Sequence, residues 1–318
     1  MIKRALGKTG LQVSEVAFGC AEIGMPYGIG VHSASDMLSE TEAIRLLQTA
    51  FAKGINFFDT ARVYGCSENI IGKAFKGSRH QVIIATKCSH FLDADNKIPS
   101  CQKLKINIES SLRESLTALQ TDYVDIFMLH QADPELLKHD DVKSVFSELK
   151  SSGKIRATGV STYTNHQTAA AIDARCWDVI QIPFNLMDQR QAELFDQAQK
   201  NGVGLIVRSV LLKGLLSDKG QNLHPALRKV EEHLQNYQPL MQQLKIDLAT
   251  LATRFALSFP QVSGVLIGID HPKYLKQALE IAAVNYLSKT ELQQAQALAY
   301  PEPEFLNLPN WDKQGWLT

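Results

Sequence analysis

Four side chains able to move or steer a proton stand just beyond short apolar runs. Asp59 follows the run 55–58, Tyr64 comes five residues later, Lys87 follows 82–86, and His130 ends 124–130. Taken singly, each has a plain reading. Asp59 ahead of Thr60 can cap a helix, a loop tyrosine packs, a strand-end lysine is solvated, and a rim histidine is a satisfied polar group. Gathered on one pocket, they have a chemistry. An Asp and a Lys at the mouth of an apolar barrel should pair, because an unpaired buried charge is costly. A phenol beside that ammonium should have its pKa lowered, so that it gives or takes a proton near neutrality. His130 can then donate to a polarised carbonyl. Acid, charge pair and carbonyl-orienting donor suit carbonyl reduction.

The elements that must gather these residues are visible as a rhythm. Short strand-like runs fall at 16–19, 55–58, 82–86, 124–130, 157–161, 179–182, 204–207 and 265–267. Stretches of helical period lie between them, at 42–53, 106–119, 136–149, 167–174 and 191–200, with a longer connection carrying 227–244 and 248–258. Eight βα units predict an α/β fold, a (β/α)₈ barrel with two extra helices, which brings strand ends together at one mouth. The competing open sheet of a dinucleotide-binding fold carries GxGxxG after its first strand. Here that strand runs out through Phe18-Gly19-Cys20-Ala21-Glu22, without the fingerprint. Ahead of it, 3–6 and 11–14 flank Gly7-Lys8-Thr9-Gly10, a hairpin signal placed to plug one end of the barrel. No low-complexity linker divides residues 1–318, so one domain is expected. The Pro- and Trp-bearing segment 301–318 lacks periodicity and reads as a surface loop.

Composition narrows the partners. Lys and Arg total 33 and Asp and Glu total 33, a net charge of zero. A nucleic-acid binder carries a basic excess, and so does a polybasic membrane-surface protein. The five cysteines include no CxxC pair, and they read as reduced intracellular thiols. The start MIKRALGKTG lacks an apolar signal core, and no apolar run reaches membrane-spanning length. A cytoplasmic protein acting on a small molecule, with no nucleic-acid or membrane partner, is expected.

With these residues in view, the chain resembles the aldo-keto reductase family. The stretch Asn56-Phe57-Phe58-Asp59-Thr60-Ala61-Arg62-Val63-Tyr64-Gly65-Cys66-Ser67-Glu68 is similar to the family signature ending in YGxSE. Arg4 to Ser14 is similar to its N-terminal hairpin, Asp122–Asp125 with the strand to His130 to its DYxD…LH strand, and Gly153 to Ser161 to its GKIR…GVS passage. The resemblance runs in order along nearly the whole chain. It implies a barrel that binds extended NADP(H) without a Rossmann motif, and hydride transfer to an aldehyde or ketone. It gives Tyr64 the role of general acid, with Lys87 and Asp59 lowering its pKa, and has His130 orient the carbonyl. The hydride itself is cofactor chemistry.

The same resemblance assigns the cofactor contacts. Ser161 and Gln181 would hold the nicotinamide carboxamide, with Thr162 where the family has Asn. Arg208 falls where an aromatic side chain stacks on the nicotinamide, and a planar guanidinium can stack there too. Its other reading is a turn away to a rim carboxylate. Ser209, Leu211 and Gly214 would face the pyrophosphate. In the adenosine segment, Gly268 to Leu279, which includes Gln277, Tyr274 stands where Arg is common and Ala278 where Asn is common. Asp270 would repel a 2′-phosphate and accept from a free 2′-hydroxyl, while His271 or Lys273 could pair with the phosphate. Its other reading is a cap of the following helix. The family resemblance makes NADP(H) the expected cofactor, with NAD(H) as the alternative. The loops 21–37, with Tyr27 and His32, and 88–101, with His90 and Phe91, would shape the substrate pocket. Two other readings of the chain stand beside catalysis by hydride transfer. One is a catalytically weak binding or regulatory protein that retains the reductase fold and cofactor site. The other is an aldolase-type barrel with Lys87 as a Schiff base, which pairing with Asp59 disfavours.

Overall fold

The computed structural model describes every residue except 32, 92–96, 131–132, 283–285 and 318. His32 and part of the loop 88–101 thus lie outside the described residues. The strands are β1 (Lys3–Ala5), β2 (Gln12–Ser14), β3 (Val16–Gly19), β4 (Phe57–Asp59), β5 (Ile83–Lys87), β6 (Val124–Leu129), β7 (Ile155–Ser161), β8 (Val179–Pro183), β9 (Gly204–Arg208) and β10 (Val262–Gly268). β1 and β2 form an antiparallel hairpin, and β3 to β10 form a closed barrel of eight parallel strands, sealed where β10 pairs with β3. Each strand read from its apolar run is present. Near-continuous burial of both faces gives those runs their Val/Ile-rich character.

Two apolar layers hold the barrel. The outer layer joins strands to helices. In Glu40–Ala52, Ala43, Leu46, Leu47 and Ala50 form the buried face, and Ser39 closes a capping box with Glu42 at the helix start. The inner layer fills the barrel with Phe57, Ile83, Ala85, Ile126, Met128, Ala157, Val179 and Ile206, joined by Leu6, Leu11 and Val13 of the hairpin. The hairpin therefore closes the N-terminal end of the barrel, opposite the strand ends that carry the polar residues. Gly7 makes this closure possible. It has φ +52°, and a Cβ there would lie 2.4 Å from the Gly204 backbone nitrogen.

Three readings of the sequence change. The stretch 227–244 is not one helix but Arg228–Leu234 and Gln238–Leu244, because Pro239 can occupy only a first helical turn. Likewise, 136–149 divides at His139 into Pro134–Lys138 and Asp140–Ser151. The C-terminal segment is not a surface loop: it contains the helix Leu308–Lys313, and Trp311 in it is buried against the outer layer. Among the described residues, no helix is long and apolar enough to cross a membrane.

The hairpin plug has a measurable consequence. Leu6 is fully buried, so Leu6→Ala should lower unfolding stability by about 2–5 kcal/mol, read from the urea midpoint. An unchanged midpoint would mean that the hairpin merely rests on the barrel.

Candidate active site

At the C-terminal mouth, Asp59 ends β4, Lys87 ends β5 and His130 stands one residue past β6. β4 and β5 are neighbours, with Asp59 in register with Ala85, which sets Lys87 within reach of Asp59. The ammonium donates to Asp59 Oδ2 at 2.6 Å and to the Thr60 carbonyl at 2.9 Å. From across the barrel, Gln181 Nε2 donates to Asp59 Oδ1 at 2.8 Å. Both carboxylate oxygens are thus satisfied, and Asp59 caps no helix. Lys87 is fully buried and Asp59 nearly so, which makes this a desolvated, charge-assisted pair rather than a surface contact.

Tyr64 lies in a turn closed by its own N–H donating to the Ala61 carbonyl at 3.0 Å. That turn packs on the loop after β3, where a Cβ on Gly24 would fall 2.0 Å from the Tyr64 carbonyl oxygen. Behind it, Glu68 accepts from Thr86 at 2.6 Å and pairs with Arg62, tying the turn and the following helix Ser67–Ala74 to β5. The Lys87 ammonium sits 5.0 Å from the Tyr64 ring centre. The Tyr64 and His130 rings meet edge to face at 6.0 Å, and His90 meets His130 in the same way at 5.1 Å. The four chemically apt residues therefore share one site.

Its electrostatics differ from expectation in one respect. Burial holds the Tyr64 phenol well above its ordinary pKa, and the Asp59 charge adds to the effect, while Arg208 pulls it down. The proximity of Lys87 does not win, because an ammonium 2.6 Å from a carboxylate presents little more than a dipole to the phenol. Burial likewise pushes His130 down to about 2, helped by the positive charge of Lys87, so the imidazole is neutral. Its Nδ1 is buried and has no hydrogen-bond partner among the described residues.

Of the residues assigned to the cofactor, Gln181 reaches Asp59 and Arg208 bears on Tyr64 and His130, with revealing departures. Ser161 Oγ makes only a long contact, 3.5 Å, to Gln181 Oε1. The Thr162 hydroxyl turns away to Thr168, at 2.7 Å, so Thr162 offers the mouth only its carbonyl. Arg208 takes that carbonyl at 2.8 Å and lies 4.4 Å over the Tyr163 ring. The rim-carboxylate reading of Arg208 is thus corrected: its partners are a carbonyl, the Ser209 hydroxyl and a ring. Beyond β9, Ser209, Leu212 and Lys213 have left-handed φ values of +58°, +46° and +58°, and Gly214 has φ +105°. The segment from Ser209 through Leu211 to Gly214 is therefore wound tightly upon itself. The cap reading of Asp270 is also overturned. His271 is the N-cap of Pro272–Ile281, its Nδ1 accepting from the Lys273 N–H at 3.1 Å. Asp270 instead faces Lys219 at 4.0 Å, and Gln277 on that helix donates to Asp247 at 2.6 Å.

Sequence reasoning missed Glu22, Tyr163, Lys213 and Lys219. Glu22 carried the same signal as Asp59 and Lys87, a charged residue just past a strand. Tyr163 followed the strand end at Ser161. The lysines needed the tertiary fold.

Known proteins share this architecture. Residues 16–299 match the sequence model of the Aldo/keto reductase family. Aldo-keto reductase AKR11C1 from Bacillus halodurans, in its holo form, superposes with a TM-score of 0.76 at 29% identity, over 94% of this chain and 96% of its own. L-galactose dehydrogenase of Arabidopsis thaliana is 29% identical over 313 residues, 92% of this chain and 90% of its own. The NADH-specific methylglyoxal reductase of Escherichia coli (strain K12) is 29% identical over 313 residues, 90% of this chain and 94% of its own. A match that runs from the first barrel strand to beyond the last, on a barrel of the same build, assigns the chain: it belongs to the aldo/keto reductase family of oxidoreductases, which work with nicotinamide cofactors.

Proposed function

We propose that this chain, as one domain over residues 1–318, moves a hydride between NADP(H) and a small aldehyde or ketone, or the corresponding alcohol, in the cytoplasm. Tyr64 is the proton donor and acceptor. One observation carries the reading: Asp59, Tyr64, Lys87 and His130 converge from three strand ends, with Lys87 buried on Asp59. When bound, the nicotinamide supplies the hydride. The chain supplies position and the proton.

The residues present fit such a cofactor. Gln181 commits its Nε2 to Asp59, which leaves Oε1, with only a long contact from Ser161, as the acceptor for a carboxamide N–H. Ser161 adds its hydroxyl. The Arg208 guanidinium lies over an aromatic ring in this structure, a contact that supports its stacking on the nicotinamide. The left-handed turn through Ser209, Leu211 and Gly214 suits phosphate oxygens. Asp270, relieved of any capping duty, is free to accept from a ribose hydroxyl. Lys273 stands 3.7 Å from Asp218 on the exposed side, where a 2′-phosphate could compete for it. Gly268 and Gln277 complete this end. NADP(H) remains the first cofactor and NAD(H) the second. The NADH-specific E. coli relative keeps the second open.

At the other end of the pocket, His130 holds the substrate carbonyl oxygen. A neutral imidazole does this by donating one N–H, without adding a charge. Tyr64 donates its phenolic proton to that oxygen. Because its pKa is raised, the phenol is in its acid form throughout the neutral range, ready for reduction. The reverse reaction needs the phenolate, so alcohol oxidation should quicken by up to about tenfold per pH unit on the alkaline side, while reduction stays nearly flat from pH 6 to 8.

Oxidation of NADPH and NADH by purified protein, against a panel of aldehydes and ketones, tests the reading directly. Tyr64→Phe removes only the hydroxyl. It should cut kcat by about 10²–10⁴ while the cofactor dissociation constant hardly moves; retention of more than half the wild-type rate would remove Tyr64 from the role. Lys87→Met strands Asp59 with only Gln181 as donor. It should cost about 3–5 kcal/mol of stability and slow reduction as well, since the unopposed carboxylate raises the phenol further. Unchanged urea midpoints would show that the pair does not bear on stability.

A further inference from the structure

Glu22, three residues past β3, has no part in the chemistry above, yet it sits at the edge of the same cleft. It is half-buried. Its carboxyl rests beside Gly268 at the end of β10, where a Cβ would fall 1.9 Å from Glu22 Oε1 and 3.0 Å from Oε2. The turn bearing Lys213 joins the loop 21–37 to the C-terminal helix: its carbonyl accepts from the Ile29 N–H at 3.1 Å, and its ammonium pairs with Asp312.

The charges facing Glu22 come from several elements. Asp270 repels it, and Lys219 and Lys213 attract it from a distance. Lys219 is drawn toward Asp270, at 4.0 Å. Tyr27, Tyr64 and the Cys20 thiol face it as neutral groups. Among the described residues, no cation lies within ion-pair distance of Glu22. Burial is the largest influence, and with Asp270 it raises the Glu22 carboxyl to about 7, against the pull of its own N–H and the two lysines. The group thus changes charge in the range where the protein would work.

We propose that Glu22 is a proton-coupled binding residue for the diphosphate of the cofactor: the cofactor binds with Glu22 in its acid form, the proton coming from water. The inference rests on the nicotinamide-cofactor reading above, which sets the diphosphate at the Ser209–Gly214 turn, next along the cofactor from the adenosine ribose at the Gly268–Asp270 end. An ionised Glu22 there would face a second anion at a half-buried position, with no cation in contact to offset it. The acid form instead carries an O–H that can donate to a phosphate oxygen, a charge-assisted hydrogen bond. With the carboxyl seated beside Gly268 and no cation in contact among the described residues, taking up a proton is a simpler route to compatibility than swinging into water.

The sign follows from linkage. The free protein loses the Glu22 proton as pH rises through about 7, while the complex keeps it to higher pH. Affinity therefore falls as pH rises, by about tenfold between pH 6 and 8. NADH is the cleaner probe, because it lacks the 2′-phosphate, whose own second ionisation lies near pH 6.

The experiment is a fluorescence titration of NADH, and then of NADPH, into the full chain at pH 6, 7 and 8, wild type beside Glu22→Gln. It is paired with calorimetry at pH 7.5 in two buffers of different ionisation enthalpy, to count protons. The wild type should lose about tenfold in NADH affinity across that range and take up a fraction of a proton on binding. Glu22→Gln should hold the wild-type pH 6 affinity throughout and take up none. Equal pH slopes in both proteins would overturn the inference, as would proton release, which would mean that the carboxylate swings into water. The wild-type proton count stands even if the variant folds poorly. If neither cofactor binds either protein, the nicotinamide reading fails and this inference fails with it.

Discussion

The buried contact between Asp59 and Lys87 constrains the rest of this molecule. A charge taken out of water must be paired and its remaining hydrogen-bonding capacity filled, and the barrel does both. Neighbouring strands β4 and β5 set the two side chains 2.6 Å apart. β8, on the far side, supplies Gln181 for the second carboxylate oxygen. Three of the eight strands must therefore keep their registers for one ion pair to be tolerable. The pair fixes Gln181 in turn, and so leaves its Oε1 as the atom open to a further partner.

The same pairing explains why the tyrosine does not behave as a simple count of nearby charges suggests. Lys87 lies close to the Tyr64 ring, but its field is largely cancelled by the carboxylate that holds it. What remains at the phenol is burial, a residual influence of Asp59 and the opposing pull of Arg208. In this structure Arg208 is the cation that speaks to the phenol, and it is tethered to the Thr162 carbonyl and the Tyr163 ring. A molecule that displaced Arg208 from these tethers would change the field at Tyr64 as well as occupy the mouth.

Much of this was legible from the chain alone. Apolar runs mark the eight strands because strands of a parallel barrel are buried on both faces, and strand ends carry the polar residues because the mouth is where charge can be solvated or paired. The hairpin announced itself through Gly7 and Gly10. Other features were not legible. The cap of Pro272–Ile281 fell to His271 rather than Asp270 because an imidazole nitrogen can also accept a backbone N–H, an option that capping preferences rank low. The tail looked like loop because a six-residue helix is too short to show a period, and burial of Trp311 depends on a groove that exists only in the folded barrel. Thr162 looked like a binding hydroxyl until Thr168, six residues on, was found to take it.

Glu22 marks a different kind of limit. Its position just past a strand end placed it at the mouth as surely as Asp59, but position does not say whether a carboxylate there is a partner or an obstacle. Asp59 meets an ammonium and an amide. Glu22 meets a glycine, its own backbone and a second carboxylate at a distance. The two residues share a side-chain chemistry and a place in the fold, and their neighbours separate them. One has both oxygens taken by donors, and the other is left near the midpoint of its titration. A carboxyl in that state costs little in either form, so the cleft can present a negative edge to solvent when empty and a neutral donor to an anionic guest.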